Sequence, residues 1–316
     1  MQTRTYGDLF KLIQSLAGVG SFALTEADDI ANLINRRFLQ AFNESPIWPR
    51  YFVSSEKRDI LALTLSGATA STSTSVNQNY KLLGANTTGG SSVYQGVTTN
   101  TVIIYNTGTA WRVDTSASAT EQSDGTFTVS SGTQQFIEAD VNKKGNVTDV
   151  VTFTPRAGTD SLLVESKNLI PYTQTGKTNI GSFNRIFRKQ AFLNQSAIEY
   201  EFFVDFTGAN ILNIVSTTDN TAFVSYKKEF TPFTVTGTAV SDYTGSTVEV
   251  PAEFFAYLAH ATYADFLRMD GQTDKAFAEE NTATVALALE LEKIDIISNN
   301  NTVNKRFSTY VNRQSR

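Results

Sequence analysis

A single histidine, His260, sets the first limit on the chemistry open to this chain of 316 residues. Any Ser/His/Asp arrangement would have to be built around it, and its surroundings, "YLAHATY", read as one face of a packed helix rather than a catalytic loop. With no cysteine at all, thiolate metal sites and disulfides are ruled out, and a His-rich metal site is ruled out with them. A carboxylate calcium loop with its glycine at Gly271 fails because Phe266 and Arg268 stand where oxygen ligands are required. "PYTQTGKT" ends like a phosphate-binding loop, but its first glycine position is Pro171, which has no N–H to aim at a phosphate and a fixed φ. Neither a Gly-x-Ser-x-Gly elbow nor a Gly-x-Gly-x-x-Gly fingerprint occurs. The adjacent carboxylates Glu279 and Glu280 fall on the polar side of a predicted helix and read as a solvated face. The expectation is a protein that is not an enzyme and uses no metal or cofactor.

Charge narrows the partners. With 26 basic against 31 acidic residues, a net charge of −5, the chain as a whole has no electrostatic footprint for gripping phosphates, so a sequence-specific nucleic-acid binder is not expected. The lack of cysteine fits assembly in a reducing cytosol. No apolar run approaches the roughly 20 residues that span a bilayer, and the start, "MQTRTYGDLFKLIQSLAG", is amphipathic, which reads as folded protein rather than a leader.

The elements that must carry these residues change type along the chain. Leu9, Leu12, Ile13 and Leu16 share one helical face, ended by Gly18 and Gly20. In "TEADDIANLINRRFLQAFNES", Thr25 is the expected N-cap, and Ile30, Leu33, Ile34, Phe38, Ala41 and Phe42 form an apolar stripe that predicts core packing. Pro46 and Pro49 close this helical start, with Trp48 anchoring the corner. From Lys57 the pattern becomes short β-branched and aromatic runs punctuated by Gly and Asn, which predicts an antiparallel region, a sandwich or small barrel-like fold rather than βαβ units. Within it "ATASTSTS" reads as a flexible link. Tyr80, Tyr94, Tyr105 and Trp111 are spread over a small meander. "GSFNRIFRKQAFL" fits a strand or a short helix. At Pro251 the chain turns helical again: Phe254, Phe255, Leu258, Ala261, Ala264 and Leu267 lead to Gly271, and a second helix follows from about Gln272 to Ile297. A hairpin alone buries too little surface, so its expected partner is the helical pair at the other end of the chain.

These readings give an α+β chain: N-terminal helices over 1–50, a β region over 51–250 with an inserted β module near 67–158, a helical hairpin over 251–298 that completes a helical bundle, and an extended basic tail over 299–316. After Asp295 no acidic residue occurs, while Lys305, Arg306, Arg313 and Arg316 make the tail basic and Phe307 and Tyr310 supply apolar anchors.

Both ends of the chain, "YGDLFKLIQSLAG" with "TEADDIANLINRRFLQAFNESPIWPRY" and "VPAEFFAYLAHATYADFLRMDGQTDKAFAEENTATVALALELEK", resemble the head-to-tail connector (adaptor) proteins of tailed bacteriophages. "TAFVSYKKEFTPFTV" resembles the β segment that leads into that family's C-terminal helices. The Thr/Ser/Gly-rich middle, about Ser66 to Gly158, departs from the family pattern. The resemblance implies a structural virion protein, assembled in the host cytoplasm and sited in the neck between capsid and tail. Copies would form a homo-oligomeric ring of about twelve subunits beneath the portal protein and above tail or nozzle proteins, with double-stranded DNA passing through without being read. It also implies portal docking through the C-terminal segment, with Lys305, Arg306, Phe307, Tyr310, Arg313 and Arg316 as the docking residues. Two other readings stand beside it. One is a surface carbohydrate- or receptor-binding β module, with Tyr80, Tyr94, Tyr105 and Trp111 stacking on sugar rings. The other is a virion glycan hydrolase using paired carboxylates, whose separation cannot be read from sequence.

Overall fold

The computed structural model describes residues 3–69, 74–88, 91–138, 153–155, 162–190, 198–214 and 219–314, with side chains described through 295. Its first elements are β1 (Thr3–Thr5), α1 (Tyr6–Ala17) and α2 (Leu24–Asn43). Strands follow: β2 (Phe52–Asp59), β3 (Leu61–Ser66), β4 (Asn79–Ala85), β5 (Ser92–Gly96), β6 (Ile103–Asn106), β7 (Trp111–Thr115), β8 (Ser118–Glu121), β9 (Phe127–Ser130), β10 (Thr133–Glu138), β11 (Thr154–Pro155), β12 (Leu163–Pro171), β13 (Ile180–Phe187), β14 (Phe202–Val204), β15 (Gly208–Ile211) and β16 (Thr221–Lys228). The chain ends with α3 (Val240–Thr244), β17 (Glu249–Pro251), α4 (Ala252–Met269) and α5 (Thr273–Gln314). The protein is thus mixed helix and sheet, with a large antiparallel sheet region and helices at both ends. It divides into two compact units, Met1–Phe52 with Glu229–Arg316, and Val53–Lys228.

In the first unit, local signals set the helix ends. Thr5 caps α1: its hydroxyl accepts from the Asp8 amide at 3.1 Å, and the Asp8 carboxylate accepts from the Thr5 amide at 3.4 Å. Gly18, at φ +70°, ends the helix in the left-handed conformation. The start of α2 differs from expectation. Leu24 is already helical, so the N-cap is Ala23 rather than Thr25, and the Glu26 carboxylate reaches back to the Ala23 amide at 2.8 Å. A cap without a polar side chain leaves no residue-type signal.

Helices from both chain ends share one hydrophobic core: Leu9, Phe10 and Ile13 of α1, Ile30, Ile34 and Phe38 of α2, Phe254, Leu258 and Ala261 of α4, and Ala283 and Leu287 of α5. Phe38 stacks on Phe233 at 4.5 Å between ring centroids. Trp48, fully buried, packs edge-on against Phe254 and donates its indole N–H to the Ala41 carbonyl at 3.0 Å, which fixes the corner after α2. The chain start is tied in by β1 pairing antiparallel with β17, Arg4 opposite Val250.

Helix α5 is longer than expected. Instead of stopping near 298 and giving way to an extended tail, its backbone is helical to Gln314, 42 residues in all, or about 63 Å. No Gly or Pro follows Gly271, and Val303, Phe307 and Tyr310 recur at helical spacing, so nothing in the sequence stops the helix.

The second unit is built on a ten-stranded antiparallel sheet of order β11-β10-β7-β6-β5-β4-β3-β12-β15-β14, with a three-stranded sheet β13-β16-β2 and a hairpin β8-β9 beside it. Of the described strands of 67–158, β4 to β7, β10 and β11 continue the large sheet, and β8 and β9 pair apart from it; β3 lies between β4 and β12, and the core that holds Leu63 and Leu65 also holds Tyr80, Trp111 and Leu162. Part of the "ATASTSTS" link, 70–73, lies outside the described residues. The ambiguous "GSFNRIF" stretch is strand, paired with β16. "EFFVDFTGANIL" contains a hairpin, β14 turning into β15, where its aromatic and β-branched run suggests one strand.

Candidate assembly surfaces

A cluster of five charged side chains joins α2, α4 and α5. Arg37 grips Asp265 through two bonds, Nε to Oδ2 at 2.6 Å and Nη2 to Oδ1 at 2.5 Å, while Arg36 reaches Oδ2 at 2.7 Å. Arg268 lies 3.2 Å from Asp265 Oδ1 and also bonds Glu280, whose other oxygen is 3.4 Å from Arg37. Asp265 is 6% exposed. Burial alone would push its carboxyl up, but hydrogen bonds from Arg37 and Arg36 outweigh that and hold it below its ordinary value. The same bond raises Arg37. Each charged group has a charged partner, so the cluster fixes the seating of three helices on one another.

This corrects the reading of Glu279 and Glu280 as a solvated face. Glu280 belongs to the ion cluster, and Glu279 accepts a hydrogen bond from His260 Nδ1 at 2.6 Å. Both carboxylates face α4. Their partners, His260 and Arg268 of α4 and Arg37 of α2, lie on other helices, which is why spacing along α5 does not reveal them.

An open groove of about 630 Å³ runs over the same unit. Leu12, Ala252, Phe255 and Ala256 line it together with Arg4, Glu253, His260, Glu290 and Lys293. Glu253 pairs with Arg50 at 3.5 Å and Glu290 with Lys293 at 2.6 Å. Arg4 stands over the Phe255 ring, 4.7 Å from its centroid, in a cation–π arrangement.

On the outer side of α5, Phe277, Val285 and Leu289 are exposed, Phe277 by 67%. Val285 and Leu289 lie across the helix from Ala276, Ala283 and Leu287, which are buried, and Phe277 lies at the side between the two. One helix therefore carries two apolar faces, and among the described residues only the inner one is covered by this chain.

The other residues singled out from sequence fall as follows. Tyr80, Tyr94, Tyr105 and Trp111 are all buried, so they present no ring face for a sugar to stack on; Tyr105 instead donates to Asp114 at 2.9 Å. The sheet carries core on both faces here, with Tyr80, Tyr94 and Trp111 in one cluster and Tyr105 in another. In "PYTQTGKT", Pro171 ends β12 and Lys177 closes a turn onto Gln174 O at 3.0 Å, with its ammonium 3.9 Å from Glu56. Among the described residues no group of three or more His, Asp or Glu side chains is placed to hold a metal ion, and no helix is long and apolar enough to cross a membrane. Lys305, Arg306, Phe307, Tyr310 and Arg313 lie on α5 beyond the described side chains, and Arg316 lies outside the described residues. Comparison of the chain with protein-family models, with curated proteins and with solved structures finds no match to any of them.

Proposed function

We propose that the chain is a structural, non-enzymatic virion protein: a head-to-tail adaptor of a tailed bacteriophage, several copies of which form a ring in the neck. The two chain ends are the ring-forming helical bundle, and the β region is a sandwich or small barrel-like outgrowth from it. The ring sits beneath the portal protein and above the tail or nozzle proteins, with double-stranded DNA passing through its channel. The basic end of α5, with Lys305, Arg306, Phe307, Tyr310, Arg313 and Arg316, is the portal-docking segment.

The observation that carries this reading is the shared core of the two ends. The stretches that resemble the adaptor family are separated by about two hundred residues of β structure, yet they fold as one unit around Phe38, Phe254 and Leu287. The outer face of α5 adds support, because exposed Phe277, Val285 and Leu289 are costly in a lone chain and suited to a contact with another one. A net charge of −5 fits a channel that lets duplex DNA slide instead of trapping it.

Native mass spectrometry and negative-stain imaging of the purified chain, alone and with the portal of its own phage, test the proposal. Closed rings of about twelve copies with an open centre are expected. A protein that stays monomeric at every concentration, with and without portal, sinks it.

A further inference from the structure

Helix α5 is more than twice as long as the helix it packs on. Among the described residues α4 is the one element it runs alongside, and α4 has 18 residues against 42. The hairpin turns at Gly271, φ +78°. By Glu290 and Lys293 the returning helix has reached Ala252 and Glu253, the first turn of α4, with which they line one groove. The backbone of 294–314 therefore continues past the start of α4 for roughly 30 Å, still helical.

Two features of the sequence divide this projecting arm. The stretch "SNNNT", 298–302, comes first. Ser, Asn and Thr compete for backbone hydrogen bonds through their own side chains and are among the poorer helix formers, so five in a row make a weak link. After it Val303, Phe307, Tyr310 and Val311 recur at the i, i+4, i+7, i+8 spacing of an amphipathic helix, among Lys305, Arg306 and Arg313 and with no acidic residue. Basic groups near a helix C-terminus favour the helix through its dipole. In isolation a segment this short would be marginal, because its first turn must be nucleated at odds of about 10⁻³. Here it continues a helix already seated on α4, so only propagation through 298–302 is required.

We propose that the basic end of α5 docks as a helix, laid in an acid-rimmed apolar groove of the portal subunit with its anchors at every third or fourth position, and that 298–302 sets how much of the arm is helical before it docks. Helical docking rests on the portal-docking role proposed above and adds the form in which that segment is recognised. Docking as an extended strand fits the sequence less well. It would have to unwind an arm that the fold already winds, and alternate residues would have to be the anchors. The alternate set Val303, Lys305, Phe307, Thr309 and Val311 mixes apolar and polar residues and leaves Tyr310 out.

The test changes the link and leaves the docking residues alone. Asn299→Ala, Asn300→Ala and Asn301→Ala together make the arm helical more of the time, and attachment to purified portal of the same phage should tighten by up to about tenfold. The same three positions changed to Gly should weaken attachment by about fivefold. Far-UV circular dichroism of the two proteins should move in the same order, with the melt of the first unit unchanged, since Leu291 and Ile294 of its core precede the link. Equal attachment of the Ala and Gly forms, or tighter attachment of the Gly form, overturns helical docking. The docking role itself then stands if deleting 299–316 abolishes attachment, whereas attachment that survives the deletion removes both. If ring formation by the chain alone, and not attachment to portal, follows the Ala-to-Gly order, the arm lies against a second copy and the portal groove is overturned.

Discussion

Arg37 and Asp265 are 228 positions apart in sequence and meet as a two-pronged, buried ion pair between α2 and α4. The N-terminal and C-terminal parts of the first unit are therefore joined by charge as well as by apolar packing. Removing one partner strands the other in a site from which water is largely excluded. Asp265→Asn, which keeps the shape and removes the charge, is expected to cost about 3 kcal/mol or more in chemical denaturation. Replacing both partners, Arg37→Met with Asp265→Leu, should recover most of that loss, because an apolar pair leaves no buried charge orphaned: Arg268 and Glu280 keep each other, and Arg36 is largely exposed. A small loss in Asp265→Asn, below about 1 kcal/mol, would mean the pair is solvated and carries little.

The same pair makes stability depend on pH at the acid end. The Asp265 carboxyl is lowered in the folded state from an ordinary value of 3.8; Glu280, hydrogen-bonded by Arg268, is lowered in the same direction. A depressed folded value means the stabilisation is fully present above the unfolded value and is lost as pH falls through the folded one. Urea midpoints of the native chain should change little through this pair above about pH 5 and fall as pH drops below about 4. In Asp265→Asn the acid-side fall should be shallower. Equal slopes in the two proteins would remove Asp265 from the account.

The helices were legible where one apolar face repeats at helical spacing. In α2, Ile30, Ile34, Phe38, Ala41 and Phe42 are buried as their spacing predicts, while Leu33 of the same stripe is only half-buried. Legibility failed where the signal is not local. Arg37 and Asp265 carry no mark of each other, and Glu279 and Glu280 look solvated because their partners come from other helices. The aromatics of β4 to β7 could not be sorted into inner and outer by alternation, because this part of the sheet has core on both faces. The turn at Asp205 is hidden in a run of strand-forming residues and depends on side-chain bonds that only the folded hairpin completes. The basic residues after Asp295 suggest an extended tail, but no helix breaker is present and the backbone of α5 stays helical to Gln314.

The two units should separate cleanly when cut at the right place. β2 and β16 lie side by side, with the Ile60 amide bonded to Asn220 O at 2.9 Å, so the chain leaves and re-enters the first unit at neighbouring points, Phe52 and Glu229. Replacing 53–228 by a short Gly/Ser linker should leave a soluble helical protein with a cooperative melt, since its core draws no residue from that segment. Excising only 67–158 should do worse, because it strips β3 of its β4 neighbour and opens the core around Leu63 and Leu65. Circular dichroism and solubility of the two deletions decide this. A folded, soluble second deletion with an unfolded first one would invert the assignment.

Removing the C-terminal helices should also unfold the N-terminal ones. Ile30, Ile34 and Phe38 of α2 lose Phe254, Leu258 and Ala261 when 250–316 is deleted, and Arg37 loses Asp265. An isolated amphipathic helix of this length is marginal in water. The truncated chain should lose the helical signal of α2 in far-UV circular dichroism, not only that of the deleted residues. Retention of the α2 signal with a cooperative transition would show that the N-terminal pair folds alone.

The basic end of α5 can be removed without touching the described core, whose last members on this helix, Leu291 and Ile294, precede it. Beyond Asp295 every charged residue is basic, and Phe307 and Tyr310 fall three residues apart in sequence. A segment of that composition suits an acidic, apolar-pocketed groove on a portal subunit, where aromatic anchors carry more of the binding energy than rim charges do. Deleting 299–316 should therefore leave the melting transition of the first unit in place and abolish attachment to purified portal. Phe307→Ala with Tyr310→Ala should weaken attachment more than raising salt from about 0.1 to 0.3 M, because that change screens charges but leaves apolar contacts in place. Unchanged affinity of the truncated chain for portal would rule out this segment as the dock and leave the outer face of α5, at Phe277, Val285 and Leu289, to be tested in its place.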